Sequence, residues 1–206
     1  MDGLTETRRA LHGVAELVLA GPQHRSTGEI WLRVCPGGFC TVEQPEVRVD
    51  GVELVVGDRR LPIDGHSCAD LAAAAGLTAG APQGLYHDGS GVDPAQPLSV
   101  DPQAARWLAR CFAAADEALR QLAPDEAPIL WPEHFDVGIR TEETNYGGSP
   151  GDRFLGEPYA YVTPPSPRAD AFWNAPFGAA RPMRELDGGS PEAILAFFLE
   201  GREWSR

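Results

Sequence analysis

Apolar residues first recur at helical spacing. Leu11, Val14, Ala15 and Val18 form one stripe over residues 5–20, Glu6 sits in the first turn, and Gly21-Pro22 reads as the stop. The period then changes to two. Ile30, Leu32 and Val34 share a face of Glu29–Cys35, and Val47–Leu54 alternates about Asp50-Gly51, a two-residue hairpin signature. That turn sets Val49 opposite Val52, Arg48 opposite Glu53 and Val47 opposite Leu54. Gly57-Asp58 offers a second turn into Arg59–Ile63, so residues 29–63 read as an antiparallel meander of four or five strands. Ser67 and Asp70 open a short helix, Ala69–Ala75, that Gly76 closes. Residues 76–100, rich in Gly, Pro, Asp and Ser, form a connector. Asp101-Pro102 caps the strongest helix, with Leu108, Phe112, Ala115, Leu119 and Leu122 on one face and Pro124 at its end. A second strand block covers 134–140 and 157–163, with a Gly-rich loop, Thr141–Gly156, between them. Pro164, Pro165 and Pro167 break the chain again before Ser190-Pro191-Glu192 caps a last helix, Ala193–Glu200. The pattern predicts a single α+β domain over residues 1–206, with mainly antiparallel sheet flanked by three or four helices. Sub-regions lie at 1–76 (helix plus meander) and 100–206 (helix, hairpin with a long loop, last helix).

Charge narrows the function classes. The 206 residues carry a net charge of −13, and every one of the 17 basic residues is Arg. The missing lysine excludes a Schiff-base lysine and a P-loop lysine; GC-rich codon usage explains it. An acidic chain with no basic run argues against nucleic acid and against an anionic membrane surface. No stretch reaches the ~20 apolar residues of a membrane span. The polar, acidic start shows no signal-peptide pattern, so a cytoplasmic location is expected. Cys35, Cys40, Cys68 and Cys111 are then expected to be reduced packing residues. Cys35 and Cys40 flank Pro-Gly-Gly-Phe and are able to face each other across a tight turn, but no second pair completes a zinc knuckle.

Candidate chemistry gathers around Trp131–Arg140. As a strand this run puts Phe135, Val137 and Ile139 on one face and His134, Asp136, Gly138 and Arg140 on the other. Pairing it with the run from Glu157 to Val162 adds Glu157, Tyr159 and Tyr161 to the polar face. Three readings follow. The groups satisfy one another on a solvated or covered face, as in a non-catalytic interaction protein. Alternatively they bind a small polar or amphipathic molecule, with Trp131, Tyr146, Tyr159, Tyr161 and Trp173 as walls and Arg140 and Asn145 orienting an acid or amide. In the third reading His134 serves as base or metal ligand with Asp136 or Glu157 as partner, which makes these three the catalytic candidates. His12, His24, His66 and His87 lie far from His134 in sequence, and His24 is the first to suspect as a second ligand. The 141–156 loop would then act as a lid or cation loop, although Glu142, Glu143 and Asp152 match no EF-hand spacing. No phosphate loop, dinucleotide-binding glycine motif or Gly-x-Ser-x-Gly elbow is present, and no motif names a cofactor. Oligomeric state is left open.

The runs Leu130–Asp136, Asn145–Asp152, Glu157–Val162 and Phe172–Ala179 resemble a family of hypothetical actinobacterial proteins over nearly the whole chain. The resemblance implies a cytosolic protein of a GC-rich bacterium and carries over no catalytic role. The helix, the meander over 29–63 and the short helix after it are similar in architecture to the sterol-carrier-like domain of mycothiol-dependent isomerases, which implies a hydrophobic ligand tunnel. Together these readings point to a cytoplasmic protein that binds a small polar or amphipathic molecule.

Overall fold

The computed structural model describes residues 3–86, 88–166, 168 and 170–205; His87 and Pro167 lie outside them. The fold is α+β, with every described strand pairing antiparallel. It divides into two compact units, Met1–Ala109 with Leu130–Phe135, and Arg110–Ile129 with Asp136–Arg206. Among the described residues no helix is long and apolar enough to cross a membrane.

The first unit opens with α1 (Leu4–Gly13), a π-helical segment (Val14–Ala20) and α2 (Gly21–Thr27) in one continuous rod. The helix therefore runs through Gly21-Pro22, where a stop was expected. The amide of Gly21 donates to the Glu16 carbonyl five residues back, so the wider π register leads into Pro22, which has no amide to donate. Gly28, at φ 83°, ends the rod instead. The backbone of 80 docks on the rod at Gly21. The Gly80 amide donates to the Leu17 carbonyl at 2.9 Å, and a methyl at position 21 would overlap the Gly80 carbonyl oxygen.

The meander comprises β1 (Leu32–Cys35), β2 (Gly38–Thr41), β3 (Arg48–Asp50), β4 (Glu53–Val56) and β5 (Arg59–Pro62). After α3 (Cys68–Ala74), opened by the expected Ser67–Asp70 capping box, and α4 (Pro102–Leu122), which continues into the second unit, comes β6 (Ile129–Trp131). The strand order is β6-β1-β2-β3-β4-β5. The Asp-Gly hairpin is shifted from its expected register. Its turn residues are Gly51 and Val52, so Asp50 faces Glu53, Val49 faces Leu54 and Arg48 faces Val55. Gly51, at φ 62°, occupies the first turn position, as a type II′ turn requires. Two carboxylates thus stand opposite each other, and Arg60 of β5 bridges them, 2.7 Å to Glu53 and 2.8 Å to Asp50. The apolar face survives the shift because the register moves by two residues. Leu32, Phe39, Val49 and Leu54 are buried, and the π segment lies against β1, β2 and α3. Gln23, fully buried, ties the rod to the strands. Its amide donates to the Glu29 and Trp31 carbonyls at 3.1 and 2.8 Å and accepts from the Val42 and Glu43 amides at 2.8 and 2.9 Å.

In the second unit β7 (Asp136–Thr141), β8 (Thr144–Ser149), β9 (Tyr159–Thr163) and β10 (Ala179–Pro182) lie in the order β10-β9-β8-β7, and α5 (Pro191–Ser205) closes the chain. The segment 141–156 is therefore not one long loop, and the strand at 157–163 does not pair with the one at 136–141. β8 stands between them. Its glycines are contact points rather than slack: a methyl at Gly148 would come 2.6 Å from the Ala115 methyl of α4. The β7–β8 turn is Glu142-Glu143, at φ 49° and 64°, a type I′ conformation built from two residues that ordinarily avoid it. On the same side as Gly148, Tyr146 packs on Phe198 of α5 with ring centroids 5.8 Å apart.

Two stability tests follow. At Gly21 the helical φ of −62° would normally let alanine add about 1 kcal/mol, yet the Gly80 carbonyl leaves no space. Gly21→Ala is expected to lower the unfolding free energy in urea by roughly 1–3 kcal/mol. Replacing Glu142-Glu143 by Asn-Gly is expected to raise it by about 1–2 kcal/mol, because both residues then tolerate positive φ.

Candidate functional site

The polar face of the second unit is assembled by register. β7 contributes Asp136, Gly138 and Arg140, β8 contributes Asn145, Gly147 and Ser149, and β9 contributes Tyr159, Tyr161 and Thr163. Gly138, Gly147 and Tyr161 lie in one row across the three strands. With no side chain at either glycine, the Tyr161 ring covers Gly147, and its hydroxyl donates to Oδ2 of Asp136 two strands away. Tyr159 makes a parallel contact: its hydroxyl donates to Oδ2 of Asp152 at 2.6 Å. Oδ1 of that aspartate accepts the amides of Phe154 and Leu155 at 2.7 and 3.0 Å, which shapes the turn after β8. Phe154 and Phe177 complete an aromatic layer. Their rings are 5.1 Å apart, both contact Tyr159, and Phe177 meets Tyr161 edge-on at 6.5 Å. Phe154 is 46% exposed, so the layer has an open apolar edge.

Both phenols are held protonated. Burial, then the neighbouring Asp136 carboxylate, pushes the Tyr161 hydroxyl well above its ordinary value; burial and the bond to Asp152 raise Tyr159 likewise. Each phenol spends its proton on a carboxylate. Chemically the face sets carboxylate and phenol oxygens and the exposed Arg140 beside aromatic carbon.

The other expected site residues fall elsewhere. Phe135 adopts a left-handed backbone (φ 56°) and its amide returns to the Trp131 carbonyl at 2.8 Å, so the run from Trp131 to Arg140 breaks before β7. His134 is consequently not on the strand that carries Asp136; it belongs to the first unit, 66% of its side chain is exposed, and Glu133 is 3.9 Å away. Trp131, also in the first unit, meets Trp31 edge-on at 6.2 Å. Glu157 precedes β9 and pairs with Arg184 at 3.4 Å. Tyr146 lies on the opposite face of β8, and Trp173 packs on Phe172 at 4.8 Å. Among the described residues no three His, Cys, Asp or Glu side chains gather as a metal site.

Some polar chemistry escaped the sequence reading. Glu16, buried in the π segment, accepts the Ser90 amide at 2.8 Å and hydroxyl at 2.6 Å. His12 stacks on Phe135 at 5.3 Å with Nε2 2.8 Å from the Pro132 carbonyl, and burial lowers its pKa. The signal for Glu16 is visible in hindsight as one carboxylate inside Val-Ala-Glu-Leu-Val-Leu-Ala. Phe154 and Phe177 gave no pattern signal at all.

No protein-family model, curated protein or solved structure matches the chain. None of the three comparisons bears on the motif resemblance to actinobacterial proteins or on the architectural likeness to sterol-carrier-like domains.

A tyrosine whose pKa is higher folded than unfolded keeps its proton longer in the native state. The stability this supplies is full below pH 10, the ordinary value, and is lost as pH rises above it. Tyr161→Phe is expected to flatten the alkaline decline of unfolding free energy by one proton's slope, measured by urea titration across the alkaline range. An unchanged slope would show that Tyr161 titrates as it does in the unfolded chain.

Proposed function

We propose that this chain is a binding protein for a small amphipathic molecule rich in hydrogen-bond donors, seated on the β7–β9 face of the second unit. The observation that carries the reading is the pairing of two carboxylate-held phenols, Tyr161 on Asp136 and Tyr159 on Asp152, beside the exposed edge of Phe154. Acceptors and aromatic carbon in one place favour a ligand with amine or hydroxyl groups on an apolar body. Arg140, exposed on the same face, would meet any acidic group such a ligand carries. Catalysis through His134 has less to rest on, since its near neighbour is Glu133 and its ring is mostly in solvent.

The test is saturation-transfer NMR of the full chain against a library of aromatic amines and aromatic polyols. Binders are expected, with affinity falling roughly tenfold in Phe154→Ala, the loss of about 1.4 kcal/mol of contact. Phe154 is exposed, so that variant keeps its fold. A library without binders, or binders indifferent to Phe154→Ala, would overturn the reading.

A further inference from the structure

The face of the meander turned away from the buried apolar side carries a thiol pair. The antiparallel register sets Cys40 of β2 directly between Arg33 of β1 and Arg48 of β3. Cys35 of β1 faces Gly38 and so lies diagonal to Cys40 on the same side. Pro36-Gly37 joins the two strands, with Gly37 at φ 85° as the second turn position demands. The two thiols are close enough to interact, the Cys35 thiol going up and the Cys40 thiol going down. Cys35 is half-buried and Cys40 is buried. The hairpin thus brings together a sheltered sulfur, two flanking guanidinium groups and a more exposed partner thiol.

We propose that Cys35 and Cys40 are a peroxide-reactive dithiol, a site of reversible oxidation that takes hydrogen peroxide. The Cys40 thiolate attacks one oxygen of the peroxide and breaks the O–O bond. Cys40 becomes a sulfenic acid, and the departing hydroxide takes a proton and leaves as water. Cys35 then attacks the Cys40 sulfur. The S–O bond breaks, an S–S bond forms, and the thiol proton leaves with the hydroxyl as a second water. The peroxide is reduced by two electrons and the two thiols are oxidised by two. An external dithiol restores the pair by exchange.

The surroundings favour this chemistry. The neighbouring Cys35 thiol, followed by Arg33 and Arg48, lowers the Cys40 thiol below its ordinary value against the opposing effects of burial and Glu46. Asp50 shares Arg48, 3.3 Å away, and draws off part of its charge. Cys68 and Cys111 behave oppositely, since burial pushes each up to about 12. They are unreactive controls within the same chain.

The experiment treats the full chain with hydrogen peroxide at neutral pH and maps disulfides by mass spectrometry after alkylation. A single Cys35–Cys40 disulfide is expected, reversed by dithiothreitol, with Cys68 and Cys111 still reduced. In Cys35→Ser the reaction is expected to halt at a Cys40 sulfenic acid that dimedone captures. In the double variant Arg33→Gln, Arg48→Gln the rate at neutral pH is expected to drop roughly tenfold and its pH profile to move upward, the effect of about one unit in thiol pKa. A thiol pair that serves only packing would show no such displacement. Oxidation of Cys35 and Cys40 no faster than that of Cys68 and Cys111, or a rate that ignores both arginines, would overturn the proposal.

Discussion

Tyr161 reaches Asp136 only because nothing stands on β8 between them. Gly147 leaves the strand bare, the ring lies over it, and the hydroxyl crosses to β7. On the reverse side Gly148 admits the Ala115 methyl of α4, and Gly201 of α5 sits where a methyl would come 2.8 Å from Val162. β8 is gripped from both faces at consecutive residues. The same close approach fixes the Gly80 backbone against Gly21 in the first unit. At these points a glycine leaves room for a neighbouring side chain or, at Gly21, for neighbouring backbone, and the polar face is a consequence of that economy of space.

Electrostatics in the first unit follows from the use of arginine alone. Asp50 and Glu53 face each other across the turn, an arrangement that repels. A lysine would offer one point of charge. The planar guanidinium of Arg60 instead places separate nitrogens against both carboxylates. On the same face Arg33 and Arg48 flank Cys40, so the strand order arranges the charges in rows and leaves Cys40 in a positive one, with Cys35 in the row of Asp50 and Glu53.

Where local rules act alone, the sequence was readable. The Ser67–Asp70 capping box, the stripe of α4 and the Gly57-Asp58 turn all depend on neighbours within a few residues, and the α+β class follows from them. Reading failed where a distant contact overrides a local habit. Gly21-Pro22 resembles a helix stop until the Gly80 carbonyl and the π register are known. Gly147-Gly148 resembles a flexible loop until Tyr161 and Ala115 occupy the space. Glu142-Glu143 hides a hairpin because the usual turn residues are missing. Asp136, Tyr159 and Tyr161 were legible as one face by alternation; His134 was not excluded, since a single left-handed residue, Phe135, interrupts the strand.

The clamp at Gln23 has a different character from the ion pairs around it. Surface pairs such as Arg60 with Asp50 weaken as salt rises, and carboxylates lose their charge in acid. Gln23 holds the Glu29, Trp31, Val42 and Glu43 backbone through a group that carries no charge at any pH. These four contacts are therefore insensitive to ionic strength and acidity, a neutral pin in a strongly acidic molecule.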